Sequence, residues 1–119
     1  MSDFLRRHVA LLPDGDASAV AELYAEDGEL ITLEGAHSGR DAVRERFARF
    51  FEYHGTIHSA EVAHEQASGD AVFAMYRVES ERGRFDILNA FVLDGETCMW
   101  HFSNEAEVHL DADEMVKRA

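Results

Sequence analysis

The sequence is poor in cysteine and in basic residues, and both shortages exclude classes of protein. Cys98 is the single cysteine, which excludes an intrachain disulfide framework and any multi-cysteine zinc or iron–sulfur site; a reducing compartment is expected. Only 11 Lys and Arg residues stand against 24 Asp and Glu, so the formal net charge is −13. Because this charge repels phosphate groups, we expect neither a nucleic-acid partner nor a membrane partner.

Long apolar runs are also missing. No stretch approaches the length of a transmembrane helix, and Arg6, Arg7 and His8 interrupt the apolar residues near the N-terminus, unlike a signal peptide. We therefore expect a cytoplasmic protein. The 119 residues fit a single domain over residues 1–119, and the 46% hydrophobic content, with eight Phe, three Tyr and one Trp, is enough to form a core.

Eight glycines, each preceded by a polar residue, divide the chain into segments with readable periodicities. The spacing of apolar residues predicts helices over Asp3 to Leu12, from a cap at Asp16 up to Asp27-Gly28, and from Ser38-Gly39-Arg40-Asp41 to His54. Strands are predicted at Glu29 to Leu33, Thr56 to Gln66, Ala71 to Glu81, Arg84 to Leu93 and Thr97 to about Leu110, with a frayed helix at Asp111 to Ala119. This order favours an α+β roll, in which three helices cover one side of a curved antiparallel sheet around a conical cavity.

Two motifs lie in the helical half of the chain. One is Gly15-Asp16 followed by Leu23-Tyr24-Ala25-Glu26-Asp27-Gly28, and the other is Ser38-Gly39-Arg40-Asp41-Ala42-Val43-Arg44. Together with the order of elements, they resemble the nuclear transport factor 2-like superfamily, in particular its SnoaL-like and ketosteroid-isomerase-like branch. The resemblance implies a cone-shaped roll of a mixed sheet on three helices, a small apolar organic ligand and a homodimer. We expect no cofactor and no metal.

The resemblance also implies positions for catalytic groups. Steroid isomerases use a carboxylate base on the first strand and an oxyanion hole built from a tyrosine and a protonated acid. Counted from the shared Gly-Asp, these positions hold Thr32, His8 and Asn89 in this chain. Thr32 cannot remove a proton near neutral pH, so steroid-type isomerisation is disfavoured unless Glu34 or another acid takes its place. His8 and Asn89 can still donate hydrogen bonds to a carbonyl or enolate oxygen. Tyr24 retains one supporting tyrosine and Phe47 replaces another.

Strand alternation places Asn89 on the same face as Phe85, Ile87 and Phe91. A polar amide among apolar side chains needs hydrogen-bond partners. A ligand or a histidine in a pocket would supply them in a functional site. The alternative is a structural amide bonded to the backbone or to buried water.

The last strand offers two sets of side chains, of which one can face the cavity. Alternation groups Cys98, Trp100, Phe102 and Asn104 on one face, and Met99, His101, Ser103 and Glu105 on the other. His101 is the first candidate for acid–base chemistry, with an outer-face position in a dimer contact as the alternative. His58 could face His101 as a second histidine, or lie in solvent.

Two functions therefore stay open. In the first, the protein is an acid–base enzyme of the cyclase, isomerase or dehydratase type acting on an apolar carbonyl compound. His101, Asn89 and His8 would be catalytic, and Tyr24, Thr32, His58, Trp100 and Phe47 would contact the substrate. In the second, it is a non-catalytic module for ligand binding or dimerisation. An adaptor that binds a basic protein through its acidic surface is a third possibility.

Overall fold

The computed structural model describes residues 2–108. Its elements are α1 (Asp3–Leu11), α2 (Ala17–Ala21), β1 (Tyr24–Thr32), β2 (Gly35–Ser38), α3 (Arg40–His54), β3 (Ile57–Ser68), β4 (Ala71–Ser80), β5 (Gly83–Asp94) and β6 (Thr97–Val108). The sheet order is β2-β1-β6-β5-β4-β3, and β1 and β6 are parallel while the other neighbours are antiparallel. The predicted α+β roll with a curved mixed sheet and three helices is confirmed.

The first two helices each begin at a side-chain cap, the second at the predicted Asp16. The Ser2 hydroxyl accepts the Leu5 N–H at 3.1 Å, and the Asp16 carboxylate accepts the Ala19 N–H at 3.0 Å, so each side chain satisfies an otherwise unpaired backbone donor. Apolar spacing in α1 turns Phe4, Leu5, Val9 and also His8 toward the core. A histidine is thereby carried into the interior by the same periodicity that builds the helix.

The second helix is shorter than predicted, and the strand that follows is longer. Val20 and Tyr24 have helical spacing, but α2 ends at Ala21 and Tyr24 is the first residue of β1. The partner strand explains the difference, because Cys98 donates its N–H to the Leu23 carbonyl at 2.9 Å and Tyr24 pairs with Cys98. Pairing with β6 thus extends β1 backward into the predicted helix.

The start of α3 is tied to β1 by the second motif. Gly39 has φ of 89°, which favours glycine, and it donates its N–H to the Gly28 carbonyl at 2.8 Å. Arg40 donates two hydrogen bonds, at 2.8 and 3.2 Å, to the carbonyl of Tyr24. The motif therefore holds the backbone of Tyr24 in place, a structural role. The short strand β2 just before it was not predicted.

A register shift in β6 changes which side chains face inward. Val92 pairs with Trp100 and Leu93 with Cys98, so Met99 is an extra residue on β6. Cys98 and His101 are consequently both buried, while Trp100 is 46% exposed. The predicted grouping of Cys98 with Trp100 is wrong for this reason, whereas the separation of His101 from Trp100 is confirmed.

The end of the last predicted strand at Leu110 and the predicted helix from Asp111 to Ala119 lie outside the described residues. Within residues 2–108, none of the helices combines the length and the apolar character needed to cross a bilayer.

Candidate functional site

A cavity of about 220 Å³ lies between the helices and the sheet. Its apolar walls include Leu12, Leu30, Phe47, Phe50 and Ile87. Its polar lining includes His8, Thr32, Tyr76, Asn89, His101 and Ser103, and its more exposed mouth includes Leu33, Glu34, Arg46 and Glu105. Five predicted site residues thus share one cavity: His8, Thr32, Phe47, Asn89 and His101.

Buried hydrogen bonds join two histidines and two tyrosines beside this cavity. His8 Nδ1 lies 3.0 Å from the Tyr76 hydroxyl, and His8 Nε2 lies 2.9 Å from the Tyr24 hydroxyl. The Tyr24 hydroxyl in turn lies 2.7 Å from His101 Nδ1. Tyr24 is fully buried and does not line the cavity, but it links the two histidines that do.

The chain of hydrogen bonds continues from His101 to β5. His101 Nε2 lies 2.7 Å from Asn89 Oδ1, and the Ser103 hydroxyl donates to the same oxygen at 3.1 Å. The Asn89 amide nitrogen donates to the carbonyls of Ala74 at 3.3 Å and Ile87 at 3.2 Å. We call the six side chains the polar chain: Tyr76, His8, Tyr24, His101, Asn89 and Ser103.

Five different elements bring the polar chain together. His8 comes from α1, Tyr24 from β1, Tyr76 from β4, Asn89 from β5, and His101 and Ser103 from β6. On β4, β5 and β6, alternate residues face inward, and the register sets Asn89 opposite Ser103 and Phe91 opposite His101. The His101 ring also stacks on Phe91 with centroids 4.1 Å apart, which fixes its plane.

Burial keeps the ionisable members of the polar chain uncharged near neutral pH. It lowers the pKa of His8 to about 3, and burial followed by the proximity of His8 holds the pKa of His101 well below its ordinary value. Burial likewise raises the pKa of Tyr24 and of Tyr76 well above the ordinary value. Both histidines are therefore neutral imidazoles, each with one N–H donor and one acceptor nitrogen.

A single proton arrangement satisfies the whole polar chain. Because Asn89 Oδ1 can only accept, His101 carries its proton on Nε2 and accepts the Tyr24 O–H at Nδ1. Tyr24 then accepts from His8 Nε2–H, and His8 Nδ1 accepts the Tyr76 O–H. The hydrogen bonds run in one direction, from Tyr76 to Asn89, as in a path along which protons can shift.

Besides Tyr24, which does not line the cavity, two predicted ligand contacts are corrected by the structure. His58 is exposed and does not line the cavity, because Ile57 takes the buried position at the start of β3. Trp100 lies on the outer face of the sheet, where its indole N–H donates to Glu29 Oε2 at 3.3 Å, because it directly precedes the inward-facing His101 on β6. The two are therefore not part of the candidate site.

The predicted donor role of Asn89 toward a ligand also needs correction. Both of its N–H bonds are used by the carbonyls of Ala74 and Ile87, so its amide acts as a structural anchor for His101. Tyr76 and Ser103 complete the polar chain but were not among the predicted site residues. The sequence carried a signal for both. Ser103 lies two residues after His101 and so shares its face of the strand, and Tyr76 lies in a strand whose residues alternate between buried and exposed positions.

Charged pairs surround the mouth, and sequence reasoning did not identify them as part of a site. Arg46 Nε lies 2.7 Å from Glu34 Oε1, and Glu105 pairs with Nε2 of the buried His54, whose Nδ1 lies 2.9 Å from the Ser80 hydroxyl. In the part of the chain that the structure describes, no group of three or more His, Cys, Asp or Glu side chains is arranged to hold a metal ion.

A curved mixed sheet packed on three helices is the fold that this chain shares with nuclear transport factor 2-like proteins. The family described as SnoaL-like domain matches residues 5–103, and this chain belongs to that family. The relationship predicted from the two motifs is confirmed. No curated protein matches the sequence.

Solved structures of similar fold come from several bacteria. A Catenulispora acidiphila protein with a ketosteroid isomerase-like fold, in complex with trimethylamine, has a TM-score of 0.73 and 17% identity, with 87% of this chain and 85% of that chain covered. A Sinorhizobium meliloti protein provisionally named a polyketide cyclase has a TM-score of 0.75 and 14% identity, over 87% and 94% of the two chains. A Burkholderia xenovorans NTF-2 like protein has a TM-score of 0.74 and 13% identity, over 98% and 91%. At these identities, the likeness shows the fold alone.

Proposed function

We propose that the protein binds a small, mostly apolar organic molecule in the cavity and catalyses proton transfer on it. The observation that carries this proposal is the polar chain, a directed set of buried hydrogen bonds at one end of an otherwise apolar cavity. Apolar walls exclude water and strengthen electrostatic interactions with a bound molecule. The provisional cyclase name of one neighbour and the trimethylamine bound to another support a small organic ligand.

The proposed step begins at Tyr76. A proton leaving an acidic C–H or O–H group of the ligand bonds to the Tyr76 oxygen while the proton of Tyr76 passes to His8 Nδ1, 3.0 Å away. The proton on His8 Nε2 can then pass to Tyr24 as that of Tyr24 passes to His101 Nδ1, so the positive charge ends on His101. The ligand keeps the electron pair as an enolate or alkoxide, and all protons are conserved.

The low pKa of both histidines makes them weak bases, so a proton taken from the ligand stays on the polar chain only briefly. A buried imidazolium is unstable, so it gives the proton back along the same path, to the same or another atom of the ligand. Isomerisation and ring closure of carbonyl compounds both need such a removal and return. This mechanism replaces the predicted hydrogen-bond clamp of Asn89 and His8 on a carbonyl oxygen, since neither has a proton to spare in the arrangement above.

The test is hydrogen exchange of a carbonyl compound. We expect the protein to catalyse exchange of the α-hydrogens of 2-indanone with D₂O, followed by NMR, and we expect His101→Ala to reduce the catalysed rate at least about 100-fold because it interrupts the path. His64→Ala, which changes an exposed histidine on β3, is the control. Circular dichroism establishes that both variants are folded. Equal rates for folded His101→Ala and the unchanged protein would contradict the mechanism.

A non-catalytic ligand-binding module is the second candidate. The observation in its favour is that Thr32 stands at the carboxylate position, while every N–H of Asn89, His8 and His101 already has a partner. A satisfied buried network can serve only to fix the shape of the cavity. Binding of 2-indanone in the cavity without any exchange would favour this candidate.

We also propose a homodimer formed through the outer face of the sheet. We call this surface the outer apolar face: Phe73 on β4, Leu88 on β5, and Trp100 and Phe102 on β6, each 43 to 46% exposed. The register places Phe73 and Phe102 on either side of Ala90, so their side chains form a continuous row. Such a patch on a soluble domain is suited to association, and a second copy offers the same patch about a twofold axis.

A further inference from the structure

The protons at the polar end of the cavity are all used within the protein. His101 Nε2–H and the Ser103 O–H are donated to Asn89, and both N–H bonds of Asn89 are donated to backbone carbonyls. The proton of Tyr76 is donated to His8, and that of His8 is donated to Tyr24. A bound molecule therefore meets no free hydrogen-bond donor from the polar chain.

Two hydroxyl oxygens of the polar chain can still accept hydrogen bonds. Tyr76 and Ser103 both line the cavity, and the hydroxyl of each is held in place by the hydrogen bond that it donates within the polar chain. A hydroxyl oxygen can accept two hydrogen bonds besides donating one. The polar end thus presents acceptors in a site where Tyr76 is 1% exposed and cannot be served by bulk water.

Charge narrows the class of donor that fits these acceptors. No carboxylate belongs to the polar chain, and burial already keeps both of its histidines neutral. An ammonium group placed there would be buried without a counter-ion, which is costly. A neutral hydroxyl group avoids this cost because it carries no charge. A carbonyl or ether oxygen would face other oxygen lone pairs and would lose its hydrogen bonds to water without replacement.

We infer that the cavity selects ligands with a neutral hydroxyl group, such as an alcohol, phenol or enol, which donates to Tyr76 or Ser103. This inference rests on the proposed function for the location of the ligand site, and it adds the chemical class of the group at the polar end. The remainder of the ligand is apolar, in keeping with walls such as Leu30, Phe47 and Ile87.

The test compares two compounds of nearly equal shape. 1-Phenylethanol carries a hydroxyl donor, and acetophenone carries a carbonyl acceptor in its place. We expect 1-phenylethanol to bind about tenfold more tightly, as measured by NMR titration of the signals of cavity residues. Ser103→Ala is expected to reduce the preference, and Ser59→Ala, which changes an exposed serine on β3, is expected to leave it unchanged.

A second measurement reads the proton arrangement without any ligand. Long-range ¹H–¹⁵N spectra distinguish the two neutral forms of histidine, and we expect the Nε2–H form for both His8 and His101. An Nδ1–H form at His101 would overturn the inference, because Tyr24 would then have to donate elsewhere. The spectra stay informative even if Ser103→Ala proves unstable.

The possible results separate this inference from the proposed function. Equal affinities of the two compounds, or tighter binding of acetophenone, would overturn the selection for hydroxyl groups. The proposed proton transfer would be unaffected, because hydrogen exchange of 2-indanone tests it separately. A tenfold preference without any exchange of 2-indanone would support the selection and would contradict catalysis on carbonyl compounds only. Failure of both compounds to perturb cavity residues would overturn the inference together with the proposed ligand site.

Discussion

At the scale of single residues, His8 makes the stability of the fold depend on pH. Its pKa is lowered to about 3 by burial, so between the ordinary value of 6.5 and about 3 only the unfolded chain binds the extra proton. Stability is therefore lost as the pH falls below about 6.5. From about pH 7 to about pH 5, His8 alone is expected to cost about 2 kcal/mol of unfolding free energy.

Urea unfolding of His8→Phe and of the unchanged protein at these two pH values measures this contribution. The variant is less stable at neutral pH, since it leaves Tyr24 and Tyr76 each without a partner, but its loss on acidification is expected to be about 2 kcal/mol smaller. Exchanging the exposed His64 for Gln serves as the control and should leave the change of unfolding free energy with pH as it is in the unchanged protein. A His8→Phe slope identical to that of the unchanged protein would refute the assignment of a neutral buried His8.

Sequence reasoning reached part of the site at this scale. Periodicity alone placed His8 on the apolar face of α1 and Asn89 among Phe85, Ile87 and Phe91, because a repeating backbone geometry decides those faces. It could not give the direction of the hydrogen bonds. Tyr24 and His101 are 77 residues apart, and which atom donates depends on the fixed amide of Asn89 at the end of the chain of bonds.

At the scale of elements, Gly28 fixes the approach of β1 to β6. A Cβ atom there would lie 3.0 Å from the Cys98 carbonyl oxygen and 3.1 Å from that of Ala25, both backbone atoms that cannot turn aside. Gly28→Ala is therefore expected to push β1 away from β6, cost about 1 to 3 kcal/mol, and shift the ¹⁵N signals of His101.

Gly15→Ala provides the matched comparison for this substitution. Gly15 has φ of 66°, and no atom lies within 4 Å of a Cβ built there. Ala at this position is therefore expected to cost about 1 kcal/mol of stability through backbone strain alone, without a steric clash. Denaturation and histidine spectra of the two variants separate the effects. His101 signals that stay in place in Gly28→Ala would show that the strand pairing does not position the polar chain.

The long elements were predictable because each has a period of its own. The helix α3 and the strands β3 to β6 agree with the predicted segments to within a few residues. The errors occur where a partner strand decides the conformation. Tyr24 leaves a helical pattern to pair with Cys98, and Met99 interrupts alternation in β6, and neither event is encoded in the local spacing of apolar residues.

At the scale of the whole molecule, net charge and the outer apolar face oppose each other. Two copies with a formal charge of −13 each repel one another, while Phe73, Leu88, Trp100 and Phe102 gain by leaving water. Salt screens the repulsion and leaves the apolar contribution in place. The proposed homodimer should therefore be tighter at about 0.5 M than at about 0.05 M NaCl, which sedimentation over a concentration series would measure.

Substitution on the outer apolar face tests where the two copies meet. Phe102→Glu places a charge in the row formed with Phe73, and burying it unpaired costs enough that the variant is expected to be monomeric at both salt concentrations. Leu33→Glu adds the same charge at a residue that is 89% exposed beside the cavity mouth and should dimerise like the unchanged protein. If Leu33→Glu dissociates as readily as Phe102→Glu, the added charge itself drives dissociation, and the assignment of the interface to the outer apolar face is wrong.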